Sequence, residues 1–566
     1  MCYGHRALWR QLLYGVAAQM KNSRIEIAVI IATAYLLAIF LLYRLPFWLC
    51  HPLLIWADQS VYLAMAELVL HGQKPYVDFF DFNPPLIIYL NTIPVFLAQV
   101  LKQPLVIMFD CFVYGFTTIS VLLSAALALL NRKTPEKFVL LMLLFVPVIC
   151  TQSQMWNFGQ REHLFVLAYF PFLLLRLLRH RAASASVSDP VSNSAPDSAP
   201  VPVSLPDWLA VAIGMFAAVG LALKPQFIVT ALLVELTLWC DSLRRTSPKK
   251  LQPEFLSLSA CLAIYVSYFA LFQTDGCYIF FKEALSVYAA GSYVYRIGFI
   301  ESLVSIGDFS FLYYFLLASL AIAFVSRKSI YSLAAVVFTL ISLISYWQAG
   351  TIYSYRGLPV SMGCWTIMAI ASGQLLEAVY KKNGALRSLT VVALVAVLTG
   401  STFYCLTKVN ERHSDALLGP ELTMDLSDLG YSNTRVQALN PLLETILKNT
   451  TEFDSVLIIG NGVRPGYPAL LQSGRKCASR YLHGMVIPMV LGAMELNPSH
   501  NTTELDRILA NYGSDIERNR PALIVIEADC IAPVLAQHNF ISRYMADYYL
   551  SETQTEQRLI VYKRKG

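Results

Sequence analysis

The stretch WADQSVYLAMAELVLHGQKPYVDFFDFNPPLIIY, residues 56–89, decides how the rest of the chain is read. It follows the first long apolar run, residues 25–43, and it places Asp58, Glu67, Asp78 and Asp81 close together beside runs that are nearly free of charge. Tyr62, Ala66 and Val69 recur at helical spacing over residues 59–71, and Gly72 stops the run. That spacing predicts a short helix lying on a membrane surface. Pro84-Pro85 then opens a second apolar run, residues 84–101. Four carboxylates next to lipid suit a reaction site, an ion site or a wetted loop, and the spacing alone leaves all three open.

The surrounding composition is that of an integral membrane protein. Of 566 residues, 56% are hydrophobic and only 14% charged, with a mean hydropathy of +0.53; a soluble domain carries about 25% charged residues. The net charge of +6 comes from Lys and Arg lying between apolar runs. That is the placement of cytoplasmic loops and gives no reason to expect nucleic acid. The 11 cysteines are scattered, without CxxC or metal-ligand spacing. No small-residue cleavage site follows residues 25–43, so that run reads as an anchor and not as a signal peptide.

Topology follows from the basic residues. Arg6, Arg10, Lys21 and Arg24 hold residues 1–24 in the cytoplasm. About 20 apolar residues cross a bilayer as a helix. If residues 84–101 crossed, the basic stretch after Leu130 would fall outside. If they lie on the surface or re-enter, residues 105–130 become the second span and the basic stretch stays inside, as the positive-inside rule asks. Counting onward through 138–153, 164–178, 207–223, 226–240, 254–273, 309–325, 330–347, 358–378 and 389–407 predicts about eleven spans within residues 25–407. The first external loop is residues 44–104, and the Ser/Ala/Pro-rich segment 181–205 is a flexible cytoplasmic linker. Residues 408–566 are mixed polar, with strand-like runs at 455–460, 522–527 and 558–562 and a helical stretch at 434–448. They form a small extracytoplasmic α/β domain whose nearly all-apolar strands predict a sheet covered on both faces. Cys477 and Cys530 would then lie in an oxidising compartment, as a disulfide or as two free thiols.

The candidate site residues are polar groups at the external mouths of these runs. Asp58 is a general base or a helix N-cap. Tyr62 lies one turn further on the same face. Asp78 and Asp81 orient an acceptor, hold an ion or stay solvated. In FGQREH, residues 158–163, Arg161 offers a fork for phosphate. Glu162 and His163 reach an acceptor or the base, unless the whole motif is an interfacial cap. Lys224 and Arg356 bind phosphate or snorkel to headgroups. Trp347, Tyr353 and Tyr355 stack on sugar or prenyl groups, or belong to the aromatic belt. Asp58, Asp78 and Asp81 offer oxygen ligands to Mg²⁺ or Mn²⁺.

Asp58, the helix 59–71, Gly72, PYVD at 75–78 and Pro84-Pro85-Leu86 together resemble the opening loop of the membrane-embedded C-type (GT-C) glycosyltransferases. These include the protein O-mannosyltransferase, aminoarabinose transferase and rhizobial lipopolysaccharide transferase branches. FGQREH, LKPQF at 223–227 and WQAGTIYSYRGLP at 347–359 look like bacterial members; the C-terminal domain adds nothing to the likeness. The resemblance implies a polytopic α-helical GT-C-like fold in the bacterial inner membrane, with surface helices in the first loop and a periplasmic C-terminal domain. It implies transfer of a sugar from a polyprenyl-phosphate donor to a hydroxyl or amine on a glycan, lipid or protein acceptor. Asp58 and Glu162 would be the catalytic carboxylates and Arg161, Lys224 and Arg356 the donor-phosphate ligands. Tyr62, Asp78, Asp81, His163, Tyr353 and Tyr355 would line the acceptor or sugar pocket. One base suffices for inversion because phosphate leaves without a strong acid, provided donors stabilise its charge. Metal dependence stays open, since some branches use a divalent cation and others none. Related turns carry Tyr-His where this chain has Tyr355-Arg356, which puts that turn's role in doubt. Two other classes stay open. A lipid-linked glycan polymerase or ligase would use similar loops, whereas a transporter is disfavoured by the lack of a visible repeat with broken helices.

Overall fold

A computed structural model describes residues 55–131, 137–152, 157–185, 205–243, 252–298, 320, 330–382 and 441–565, apart from 56, 293–295, 350–352, 497 and 555–557. The expected spans at 25–43, 309–325 and 389–407, the cytoplasmic N-terminus and most of the linker lie outside these residues.

The membrane part consists of α1 (Ala57–Leu70), α2 (Leu86–Leu101), α3 (Leu105–Leu130), α4 (Lys137–Leu143), α5 (Phe145–Gln152), α6 (Arg161–Ala185), α7 (Asp207–Ala222), α8 (Pro225–Leu243) and α9 (Pro253–Phe272). Then come α10 (Thr274–Ile279), a π-turn over Phe280–Ala284, α11 (Leu285–Gly291), α12 (Ile330–Ala349), a 3₁₀ turn over Ser354–Gly357 and α13 (Leu358–Lys382). The fold is thus predominantly helical with several long apolar helices. Of the eleven expected spans, eight fall on the described residues, and not all eight are long, unbroken apolar helices. Among the described residues, three stretches are long and apolar enough to cross a membrane: α3, α9 and Tyr355–Ala378.

The shortfall has local causes. The expected span 138–153 is broken between α4 and α5 at Leu144. Pro147 has no N–H for the Leu143 carbonyl four residues back, and its ring crowds that carbonyl. Helices α2 and α7 have 16 residues each, about 24 Å at 1.5 Å per residue, against a hydrocarbon core of about 30 Å. Helix α6 has 25 residues but carries Arg161, Glu162, Arg176 and Arg179. It also runs to Ala185, so the linker expected from residue 181 begins later. Helix α2 buries Ile87, Ile88, Asn91, Val95 and Ala98 while Phe96, Val100 and Leu101 are exposed, so its outer face is apolar.

Helix α7 packs closely on two neighbours through small residues. A Cβ on Gly214 would lie 2.2 Å from the Glu254 carbonyl oxygen of α9, and one on Gly220 would lie 2.9 Å from Ala168 of α6. The carboxylate of Glu254, fully buried, is held by Arg176 at 3.3 Å and Arg179 at 2.9 Å, while Arg176 also grips Glu235 of α8 at 2.9 Å. This ion cluster ties α6, α8 and α9 together at the end remote from Arg161.

The C-terminal part runs α14 (Pro441–Asn449), β1 (Ser455–Ile459), α15 (Gly466–Ser473), β2 (Lys476–Cys477), α16 (Val486–Leu496), α17 (Pro498–Asn519), β3 (Leu523–Glu527), two short helices, β4 (Tyr548–Gln554) and β5 (Leu559–Arg564). The sheet order is β2-β1-β3-β5-β4, with β1 parallel to β2 and β3, and β5 antiparallel to both β3 and β4. The period of two along each strand assigns the faces. Val456, Ile458, Leu523, Val525, Leu559 and Val561 join the apolar core that continues through α1 into the membrane helices. Leu457, Ile459, Ile524 and Ile526 join a second core built with α16, α17 and the first-loop aromatics Tyr76, Phe80 and Phe82. Cys477 and Cys530 are both free, so the disulfide alternative does not hold. Burial pushes the Cys477 thiol up to about 11.

Candidate active site

The site begins where two chain segments clip together. Gln59 Nε2 donates to the Phe158 carbonyl at 3.0 Å, and Gln160 Nε2 donates to Asp58 Oδ2 at 3.0 Å. Helix α1 starts at Ala57, so Asp58 stands in its first turn and not at the capping position. The turn it meets, Asn157–Gln160, depends on Gly159, whose φ is +76°. A Cβ there would stand 2.3 Å from the ring of Phe109 on α3. His163 Nδ1 accepts the Gly159 N–H at 3.0 Å, and its ring is buried against Phe158. His163 therefore holds the turn; it is not exposed to an acceptor, contrary to its expected place in a pocket wall.

From this turn α6 projects two charged side chains inward. Arg161 Nη1 donates to Asn83 Oδ1, its guanidinium lies 5.7 Å from the Tyr62 ring centre, and its Nε is buried without a hydrogen-bond partner. Glu162 Oε1 accepts from Lys224 Nζ, and Glu162 Oε2 is buried without a partner. Lys224 sits in the turn between α7 and α8, 5.5 Å from the Tyr355 ring. Tyr355 stacks on Tyr353 at 5.7 Å with the planes 7° apart, and Arg356 lies 5.8 Å from the Tyr353 ring. Tyr353 is 41% exposed, which marks the open side of the cluster. Between Glu162, Lys224, Thr230, Ser342 and Arg356 lies a small cavity of about 30 Å³, enough to admit water.

Electrostatically, Arg161, Lys224 and Arg356 face Glu162 and Asp58. Burial first, then the charge of Asp58, holds the phenol of Tyr353 above its ordinary value, so it stays a neutral donor. Tyr62 is raised by burial too, with Arg161 opposing. Arg464, in the Gly/Pro-rich loop after β1, also feels Asp58, which offsets part of the lowering that burial causes. Arg464 was not picked out from sequence; the signal available was its place in GNGVRPGYP directly after an apolar strand.

Two expected residues belong elsewhere. Asp81 is 1% exposed and accepts from the Phe82 N–H, Asn83 Nδ2 and His483 Nε2, so it is neither solvated nor open to an acceptor. The side chain of Asp78 accepts the Lys74 N–H at 2.7 Å and closes an exposed turn. Asp78 lines a separate open groove of about 1310 Å³ between the first loop and the C-terminal domain, with Glu67, His71, Gln103, Lys476 and Arg518. Among the described residues no three His, Cys, Asp or Glu side chains gather as metal ligands, so Asp58, Asp78 and Asp81 do not form the Mg²⁺ or Mn²⁺ site considered for them.

No protein-family model matches the chain, and no curated protein does. Among solved structures, it is similar to ArnT from Cupriavidus metallidurans bound to undecaprenyl phosphate, at 12% identity and a TM-score of 0.48, over 94% of this chain and 97% of that one. It is likewise similar to ArnT from Cupriavidus metallidurans in the apo state, at 13% identity and a TM-score of 0.47, over 94% of this chain and 98% of that one. The site is accordingly read from its own residues.

Proposed function

We propose that this protein is a membrane glycosyltransferase of the C type that moves a sugar from a polyprenyl-phosphate donor to an acceptor hydroxyl or amine of the cell envelope. The observation that carries the reading is the convergence of Asp58 with Arg161, Lys224, Tyr353, Tyr355 and Arg356 from four separate segments onto one partly buried cluster. Guanidinium and ammonium groups that converge in this way favour an anionic ligand, because they donate charge-assisted hydrogen bonds to phosphate oxygens. A phosphate at the membrane surface has that charge. Its prenyl tail would lie in the hydrocarbon layer, against outward apolar faces such as that of α2.

In this reading the acceptor oxygen or nitrogen attacks the anomeric carbon opposite the phosphate. Asp58 takes the acceptor proton, and the phosphate leaves with the bonding electron pair toward Arg161, Lys224 and Arg356. Glu162 aims Lys224 and opposes the burial and the Arg161 charge that together pull the ammonium down to about 7, a supporting part and not that of a second base. Tyr353 offers a neutral ring face to the sugar.

Asp58→Asn preserves shape and removes the base. Transfer from a defined polyprenyl-phosphate donor by purified protein should fall about 10² to 10⁴-fold with unchanged membrane levels. Near-equal rates for wild type and variant would sink the assignment. A second reading, polymerisation or ligation of lipid-linked glycan, is favoured by one observation: the open groove beside Asp78, about 1310 Å³, has room for more than one sugar. Product chain length separates the two, since one added sugar supports single transfer.

A further inference from the structure

Asp81 and Asn83 are buried or nearly so, and their hydrogen bonds form one continuous thread. Asp81 Oδ1 accepts from the Phe82 N–H at 2.8 Å and from His483 Nε2 at 3.2 Å. Asn83 Nδ2 donates to both Asp81 oxygens at 3.1 Å. The other end of the same amide, Oδ1, accepts from Arg161, and the Asn83 carbonyl accepts from the Tyr76 hydroxyl. The thread therefore runs from the C-terminal domain, through the first loop, to a cation of the candidate site.

Docking of the two parts does not require it. The Phe80 N–H donates to the Arg480 carbonyl at 2.9 Å, and the Phe80 and Tyr481 rings meet at 5.7 Å. Phe80, Phe82 and Tyr76 are buried in the second core. Burial of three aromatic rings outweighs a single hydrogen bond, most of whose strength is offset by its desolvation. The thread does something packing cannot: it fixes an orientation. An Asn amide has distinct donor and acceptor ends. With Nδ2 committed to a carboxylate, Oδ1 must face Arg161. The loop that carries His483 is pinned as well, since a Cβ on Gly484 would stand 2.1 Å from the Gly460 carbonyl oxygen and the Gly484 N–H donates to the Gly462 carbonyl at 2.9 Å.

We infer that His483 is a positioning residue: through Asp81 and Asn83 it sets the amide that aims Arg161 at the donor phosphate. The inference rests on the phosphate role proposed above for Arg161. Pre-aimed donors bind without first losing side-chain freedom.

The test measures binding of undecaprenyl phosphate to the purified full-length protein. Arg161→Ala should weaken it most. His483→Ala should weaken it about tenfold, the scale of one hydrogen bond to a charged group. His483→Gln, which offers an N–H where Nε2 stood, should restore most of the loss. The double variant His483→Ala/Arg161→Ala should bind no worse than Arg161→Ala alone, because the two act through one contact. Should His483→Ala fold poorly, Asn83→Ala cuts the thread beyond Asp81 while leaving the His483–Asp81 bond intact, and it should show the same tenfold loss. Additive losses in the double variant, or wild-type affinity of both His483→Ala and Asn83→Ala, overturn the inference. Wild-type affinity of Arg161→Ala overturns the phosphate role itself, which is a distinct result.

Discussion

Glu162 and Lys224 form a buried ion pair, Glu162 only 3% exposed and Lys224 8%. Removing one partner of such a pair leaves the other charge buried and costs about 3–5 kcal/mol, whereas replacing both with apolar groups of like volume is often neutral. Glu162→Gln should therefore lower the thermal unfolding midpoint of the detergent-solubilised protein. Glu162→Met/Lys224→Met should recover stability yet stay inactive if Lys224 serves the leaving phosphate. Equal midpoints for wild type and Glu162→Gln would show that the pair contributes little. These two residues were visible in sequence because each is a lone charge at the mouth of an apolar run. The same contrast picked out Asp58, Arg161 and Arg356. Asp81 looked equivalent and is not, because its burial is created by a domain that folds over it from 402 positions away. Asn83 and His483 carry no contrast at all: an amide in a polar loop and a histidine in a mixed domain give nothing to read until the chain is folded.

At the scale of elements, the apolar runs were legible and their interruptions were not. Pro147 was in view, and the break at Leu144 follows from it, but a summed hydropathy window smooths over one missing hydrogen bond. Strands β1, β3 and β5 are apolar enough to read. Strand β4 (YYLSETQ) sits at the sheet edge with one face in water, and β2 is two residues long, so neither shows an apolar signal. The turn before α6 offers a clean test of why the site holds its shape. Gly159 and Gly72 both have left-handed backbone, φ +76° and +87°. A Cβ on Gly72 meets nothing within 4 Å, whereas one on Gly159 meets Phe109. Gly72→Ala should cost about 1–2 kcal/mol from backbone strain alone. Gly159→Ala should cost clearly more and reduce activity as well, because α6 carries both Arg161 and Glu162. Similar thermal midpoints for the two variants would contradict the close approach to α3.

For the whole molecule, the sheet is not an appendage. One of its faces is continuous with the core of the membrane helices, and the other closes over Tyr76, Phe80 and Phe82. Ending the chain near residue 440 should uncover both surfaces and abolish the polyprenyl-phosphate binding proposed above. The truncated protein should be poorly recovered and aggregate on gel filtration. A monodisperse truncated protein that still binds would show the C-terminal part to be separable. The sequence announced a second domain by its change in composition. It held no sign that this domain completes the first loop, since nothing in a linear pattern records which distant faces meet. That meeting also sets a clock. The His483–Asp81 bond joins residues 402 positions apart, and ribosomes add about 5–20 residues per second. For about 20 to 80 s the loop that holds Asp58 has emerged while the surface that will seal it is still being translated. During that interval its phenylalanines must be shielded by lipid or by a chaperone, and nascent chains stalled in that window should be cut by added protease between residues 79 and 82, which the finished protein buries.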